Sequence, residues 1–270
     1  MSLVNIGWLE KNLDKIKIID CSWHMPQTER NGFNEYKNKH IENAIFFDLD
    51  ENSKKDTELP HMLPDAKSWE DIVSNMGIKN DDQIVIYDNS DVISSCRCWY
   101  NFIYFGHNPE SVHVLDGGLK KWIEEDKPTT SKIISATPSI YTVNEKKELV
   151  KDINQVNKNI FENEFNIIDA RSLERFEGKV PEPRKGLRSG SIKNSFCLPF
   201  SELVNQDHTF ISKKKIHEKF KSTGYEVSKN LVFTCGSGIT ASVLALAYSL
   251  IDNKYMPTIY DGSWSEYGKN

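Results

Sequence analysis

The sequence predicts an α/β protein of two tandem domains, each a parallel sheet flanked by helices on both faces. The first observation behind this is internal repetition. KIIDCS at 17–22 resembles NIIDAR at 166–171, and HIENA at 40–44 resembles SIKNS at 191–195. MGIKNDDQIVIYD at 76–88 aligns without a gap with TGYEVSKNLVFTC at 223–235, and VLDGGLKKW at 114–122 resembles IYDGSWSEY at 259–267. Landmarks recurring in one order, about 150 residues apart, mark a duplicated domain. The second observation is that short apolar runs alternate with helical patterns, as parallel strands with crossover helices require. The third is the stretch EEDKPTTSKIISATPS at 124–139, which is polar, Pro-containing and non-periodic, and reads as a linker. The division is therefore a first domain at 1–126, a linker at 127–142 and a second domain at 143–270.

Within the first domain, β-branched and apolar runs predict strands at 16–20, 45–47, 84–87 and 112–115. In the second, the corresponding runs predict strands at 166–169, 196–198, 231–234 and 257–260. The segment 66–76 places Trp69, Ile72, Val73 and Met76 on one face at helical spacing, and 94–105 follows the next strand. Their counterparts are helices at 212–221 and 239–251, the latter apolar almost throughout.

Hydrophobic content of 38% and charged content of 27% fit a globular protein, and no apolar run approaches the ~20 residues of a membrane helix. Net charge is -5, with the basic residues scattered; Lys213-Lys214-Lys215 reads as a solvated helix face, so no nucleic-acid surface is expected. The start, MSLVNIGWLEKNLDK, has no basic segment leading into an apolar one, and so does not resemble a secretory or transit signal. Five cysteines without framework spacing predict free thiols in a reducing cytoplasm. Cys96-Arg-Cys98 lacks the two-residue gap of a zinc or redox pair, and no His cluster accompanies it, so no metal is expected.

The stretch LVFTCGSGITA at 231–241 carries the chemistry. It runs from a core strand into an apolar helix, with Cys235 at the hinge followed by Gly236-Ser237-Gly238. In open parallel sheets, sites form beyond the carboxyl ends of the strands. A Gly-Ser-Gly loop lets backbone N–H groups turn towards the sulfur, and the following helix adds its N-terminal dipole. Both favour thiolate, where an ordinary cysteine is only ~3% ionised at pH 7. The first copy has Asp88 at this position, followed by NSDVISS, so only the second copy is expected to be catalytic.

The tandem layout, the strand–Cys loop–helix and the landmark pairs resemble the two-domain rhodanese-like sulfurtransferases over essentially the whole chain. The loop CGSGIT is similar to that of the 3-mercaptopyruvate sulfurtransferase branch, with Ile239 in place of Val. The resemblance implies a persulfide carried on Cys235, a silent first domain, 3-mercaptopyruvate as sulfur donor and a thiol acceptor such as thioredoxin or a small dithiol. It implies no metal or organic cofactor. Thiosulfate, the donor of the sister branch, is a dianion served by basic residues after the cysteine, whereas mercaptopyruvate needs a neutral loop and a separate carboxylate clamp. In ARSLERFEGKVPEPRKG, Arg175 and Arg184 match the arginines of the family motif, and guanidinium suits carboxylate. Ser237, His61 (in HMLP) and Asp50 (in FFDLD) fall at the positions of the family's proposed Ser-His-Asp triad, built across the domain interface. Gly236, Gly238, Ile239 and Thr240 complete the substrate-binding loop; Thr240 either bonds near the sulfur or caps the helix.

Two departures stand out. Gly190-Ser191-Ile192-Lys193-Asn194 replaces the family's Gly-His-Ile-Pro-Gly, a turn that supports the fold. Arg188 stands where acidic or neutral residues are usual, and is expected to perturb the clamp. Among the rivals, a phosphatase of this fold needs Cys-x5-Arg, and the sixth residue after Cys235 is Ala241. Thiosulfate sulfurtransfer and a non-enzymatic sulfur carrier remain as alternatives.

Overall fold

The structure, a computed structural model, describes residues 2–269. It divides into two compact units: one built from the chain up to Lys55, Leu63–Lys146 and Gln206–Phe210, the other from Asp56–Met62, Lys147–Asn205 and the chain from Ile211.

Unit one runs β1 (Leu3–Val4), α1 (Ile6–Glu10), β2 (Lys17–Asp20), α2 (Gly32–Asn38), β3 (Ala44–Phe46), α3 (Ala66–Asn75), β4 (Ile84–Tyr87), α4 (Ser95–Tyr104), β5 (Val112–Leu115) and α5 (Gly118–Glu124). Unit two repeats the order as β6 (Val150–Lys151), α6 (Ile153–Glu162), β7 (Phe165–Asp169), α7 (Leu173–Phe176), β8 (Phe196–Cys197), α8 (Lys213–Ser222), β9 (Asn230–Thr234), α9 (Ile239–Ser249), β10 (Ile259–Tyr260) and α10 (Ser263–Tyr267). The sheets have the orders β1-β5-β4-β2-β3 and β6-β10-β9-β7-β8, and every strand pairing is parallel. The duplication read from four landmarks therefore extends to every element.

Each sheet is buried on both faces. In unit one, Ile18, Val85, Tyr87 and Leu115 pack with Ile6 and Leu9 of α1, Tyr36 of α2, and Leu119 and Trp122 of α5. Strand alternation turns Ile19, Ile84 and Ile86, equally buried, the other way. In unit two, Ile167 and Val232 pack with Val156 of α6 and Trp264 of α10. Phe233 points away from them and meets Phe220 of α8 and Tyr248 of α9. The last is buried along Ile239–Ala247 apart from Thr240, as an all-apolar helix must be.

The predicted strand positions hold to within one or two residues. The sequence reading missed β1 and β6, two-residue edge strands too short to carry an alternating pattern. It also missed the helices of four to seven residues, whose start signals include side-chain caps such as Asn5, Asn31 and Ser172, and the ten-residue α6, which opens on a capping box of Asp152 and Gln155. The polar segment 127–142 groups with unit one and is hydrogen-bonded to it at both ends. Thr130 and His40 exchange backbone hydrogen bonds, Ser139 N–H reaches the Ser74 carbonyl, and Thr142 N–H reaches Asn80 Oδ1. Composition shows that the segment is polar; it does not show that those polar groups have partners.

Candidate active site

Cys235 follows β9 at the carboxyl edge of its sheet and is 2% exposed. Its loop is clasped by the start of α10. Trp264 N–H donates to the Cys235 carbonyl (2.9 Å), and Ser265 donates to the Gly236 carbonyl from both N–H (2.9 Å) and Oγ (2.6 Å). Cys235 N–H reaches Ser263 Oγ (3.3 Å). Ser263 sits at φ 49, a left-handed conformation that a non-glycine residue adopts at some cost. Its counterpart in unit one is Gly118, at φ 55.

The two copies can be compared atom by atom at this strand end. Asp88 follows β4 and accepts from Ser90 N–H through Oδ1 (2.8 Å) and from Ser95 N–H, the first residue of α4, through Oδ2 (2.9 Å). Burial pushes its carboxyl upwards and these bonds pull it back. An internal carboxylate thus fills the mouth of α4. At α9 the capping residue is Gly238, at φ 83, and no side chain caps the helix. At the position equivalent to Asp88, the chain leading into α9 carries Cys235. Thr240 is the second residue of this helix and half exposed, so the capping alternative considered for it does not hold.

Arg175 and Arg184 both reach this loop. A Cβ built on Gly236 would lie 3.4 Å from Arg175 Nη2 and 3.5 Å from Arg184 Nη1. Arg184 Nη2 also approaches Ser237 Oγ at 3.3 Å. Ser172 caps α7 and so fixes the turn that carries Arg175. Arg175 is held by Glu182, with Nε at 3.2 Å from Oε1 and Nη2 at 2.6 Å from Oε2. Glu182 takes two of its five N–H groups.

Glu182 belongs to a buried chain of charges. Its Oε1 also accepts from Arg171 Nη1 at 2.8 Å. Arg171 is bonded to Asp169 through Nε and Nη2 and to the Gly190 carbonyl, and lies 4.2 Å over the Trp264 ring. Burial opposes the Arg171 charge, and Asp169 and Glu182 together outweigh it. Arg188, expected to disturb the arginine pair, covers the Trp264 ring at 4.7 Å and the Tyr267 ring at 5.1 Å.

His61 belongs to the segment Asp56–Met62 that groups with unit two. Its Nδ1 lies 2.9 Å from Ser237 Oγ, and both residues are 5% exposed. His61 takes φ 61, another left-handed non-glycine residue at the site. Asp50 belongs to unit one, where its Oδ2 accepts from Trp23 Nε1 at 2.9 Å.

Sequence reasoning missed Glu182, Arg171, Ser263 and Trp264. Glu182 lies inside the arginine motif, and Ser263 and Trp264 inside a landmark repeat; the signal was position within a motif, not residue type.

The rhodanese-like domain model matches residues 5–125 and 152–270. Thiosulfate/3-mercaptopyruvate sulfurtransferase 1, mitochondrial, of Arabidopsis thaliana is 36% identical over 288 residues, covering 98% of this chain and 75% of that one. Thiosulfate sulfurtransferase of Rattus norvegicus is 35% identical over 277 residues, covering 98% and 91%. The solved structure of SseA, a 3-mercaptopyruvate sulfotransferase of Escherichia coli, superposes with a TM-score of 0.88 at 31% identity, over 98% of this chain and 100% of that one. With a matched domain in each half and this likeness along nearly its whole length, the chain belongs to the rhodanese-like family.

Proposed function

We propose that the protein is a 3-mercaptopyruvate sulfurtransferase. The observation that carries this reading is the convergence of Arg175 and Arg184 on Gly236, beside the Cys235 thiol. Relatives named for either donor are similarly identical to the chain, so overall identity does not choose between donors. The loop does: Gly236-Ser237-Gly238 adds no charge at the sulfur, and the two guanidiniums stand to one side, where a carboxylate remote from the transferred sulfur would lie.

The Cys235 thiolate attacks the donor sulfur. An S–S bond forms, the C–S bond breaks, and its electron pair leaves on the carbon as the enolate of pyruvate. Ser237, bonded to His61, supplies the proton that the enolate takes up. The part of Asp50 in this relay rests on its place in the sequence. Attack of an acceptor thiolate on the outer sulfur then breaks the S–S bond and restores Cys235; thioredoxin or another dithiol releases sulfide by closing its own disulfide. Five free cysteines support work in a reducing compartment, which we take to be the cytoplasm. No helix among the described residues is long and apolar enough to cross a membrane.

Steady-state kinetics with the two donors tests the reading. kcat/KM for mercaptopyruvate exceeds that for thiosulfate by a large factor; equal use of both would place the protein with the thiosulfate enzymes. In Arg184→Ala, kcat/KM for mercaptopyruvate falls roughly 10- to 150-fold, the equivalent of about 1.5–3 kcal/mol for a hydrogen bond to a charged group. The loss falls mostly on KM if the contact is the same in ground and transition states. Arg184→Lys recovers only part, since an ammonium lacks the planar fork. Unchanged kinetics in Arg184→Ala would make this arginine a bystander.

A further inference from the structure

We propose that Glu182 discriminates between sulfur donors by their charge, by cancelling the positive charge that Arg175 would otherwise present to the Cys235 loop. The proposal rests on the sulfur-transfer reading above and concerns which donor that site prefers.

Both partners are placed for this role. The Glu182 side chain is 1% exposed and that of Arg175 22% exposed, so their attraction is poorly screened by water. Glu182 meets Arg175 through both oxygens, and the Nη2 it holds at 2.6 Å is also the atom nearest a Cβ at Gly236. From the loop, Arg175 therefore presents N–H donors backed by a carboxylate. Hydrogen-bonding capacity remains and net charge is removed. Arg171 does not restore that charge, because Asp169 takes its Nε and Nη2. The four groups Asp169, Arg171, Glu182 and Arg175 carry two positive and two negative charges in one connected chain.

Donor selectivity follows from the linearity of Coulomb energy in charge. Uncompensated positive charge beside the sulfur favours every anionic donor, but a dianion such as thiosulfate gains about twice what a monoanion such as mercaptopyruvate gains. A paired Arg175 withholds that advantage while still offering hydrogen bonds to a carboxylate. Glu182 is a positioning residue, since it acts through Arg175. A merely structural role would lower activity towards both donors alike.

The test measures kcat/KM for thiosulfate and mercaptopyruvate in Glu182→Gln, Glu182→Asp and Arg175→Gln, and reads the ratio of thiosulfate to mercaptopyruvate. Glu182→Gln keeps size and removes charge, so the ratio rises about tenfold or more, and the rise shrinks as ionic strength increases. Glu182→Asp keeps the charge, so the ratio stays within about threefold of wild type even where both activities fall. Arg175→Gln also removes a donor from the carboxylate clamp, so it is read against Glu182→Gln/Arg175→Gln: the double variant lacks the same donor and one negative charge more, so its ratio exceeds that of Arg175→Gln, and this pair decides the matter if Glu182→Gln alone does not fold. A ratio unmoved in Glu182→Gln, or moved equally by Glu182→Asp, or no higher in the double variant than in Arg175→Gln, would overturn the proposal. Failure of the wild type to take sulfur from mercaptopyruvate would instead overturn the function itself.

Discussion

Cys235→Ser abolishes pyruvate release from 3-mercaptopyruvate, and brief exposure of the wild type to that donor adds one sulfur, about 32 Da, on Cys235 alone. The other cysteines are poor competitors for physical reasons. Burial pushes the Cys21 and Cys96 thiols far up, and pushes Cys197, with Asp169 nearby, up to about 12. Cys98 is wholly buried in α4. Cys235 follows β9 at the carboxyl edge of its sheet, next to Gly236, where the Arg175 and Arg184 side chains converge. Intact-protein and peptide mass spectrometry locate the added sulfur. A Cys235→Ser protein that releases pyruvate at the wild-type rate would sink the nucleophile assignment.

His61→Ala and Ser237→Ala each slow the release of pyruvate by ~10²–10⁴-fold, the usual contribution of a positioned acid or base. The 2.9 Å bond between His61 Nδ1 and Ser237 Oγ makes them one proton-transfer unit. Removing both is therefore scarcely worse than the worse single loss. Thiol attack on a preformed persulfide makes no enolate and is less affected. Single-turnover measurements of each half-reaction separate these outcomes. Additive losses, or equal slowing of both halves, would reduce the pair to structural contacts. His61 pins the loop to a strained turn, so the melting temperature of each variant is recorded beside the rates.

The fold was legible because the repeat is written in residues that define it. Apolar runs such as IVIY at 84–87 and LVFT at 231–234 become the central strands, and the flanking turns recur in register. The nucleophile was legible for the same reason: Cys235 breaks a repeat at a strand end where chemistry collects. Arg175, Arg184, His61 and Ser237 were legible through family position alone, and their separations of 53 and 176 residues in the contacts they make explain why no local pattern announces them. Glu182 and Arg171 stayed hidden because a buried charge is indistinguishable in sequence from a solvated one. ERFEGKVPEPRKG reads as an exposed polar loop, and mostly it is one, apart from the carboxylate that turns inward. Edge strands of two residues and helices of four to seven give too little period to read, whereas the ten-residue α6 was missed despite its capping box.

The clasp that α10 places on the Cys235 loop also sets an order of events during synthesis. Cys235 leaves the ribosome 28 residues ahead of Ser263, the hydroxyl that receives its N–H. Until that stretch emerges, β10 is missing from between β6 and β9, and the Cys235 and Gly236 carbonyls have no Trp264 or Ser265 to bind. A nascent chain therefore carries Cys235 on a loop that still lacks the partners which hold it in the folded protein.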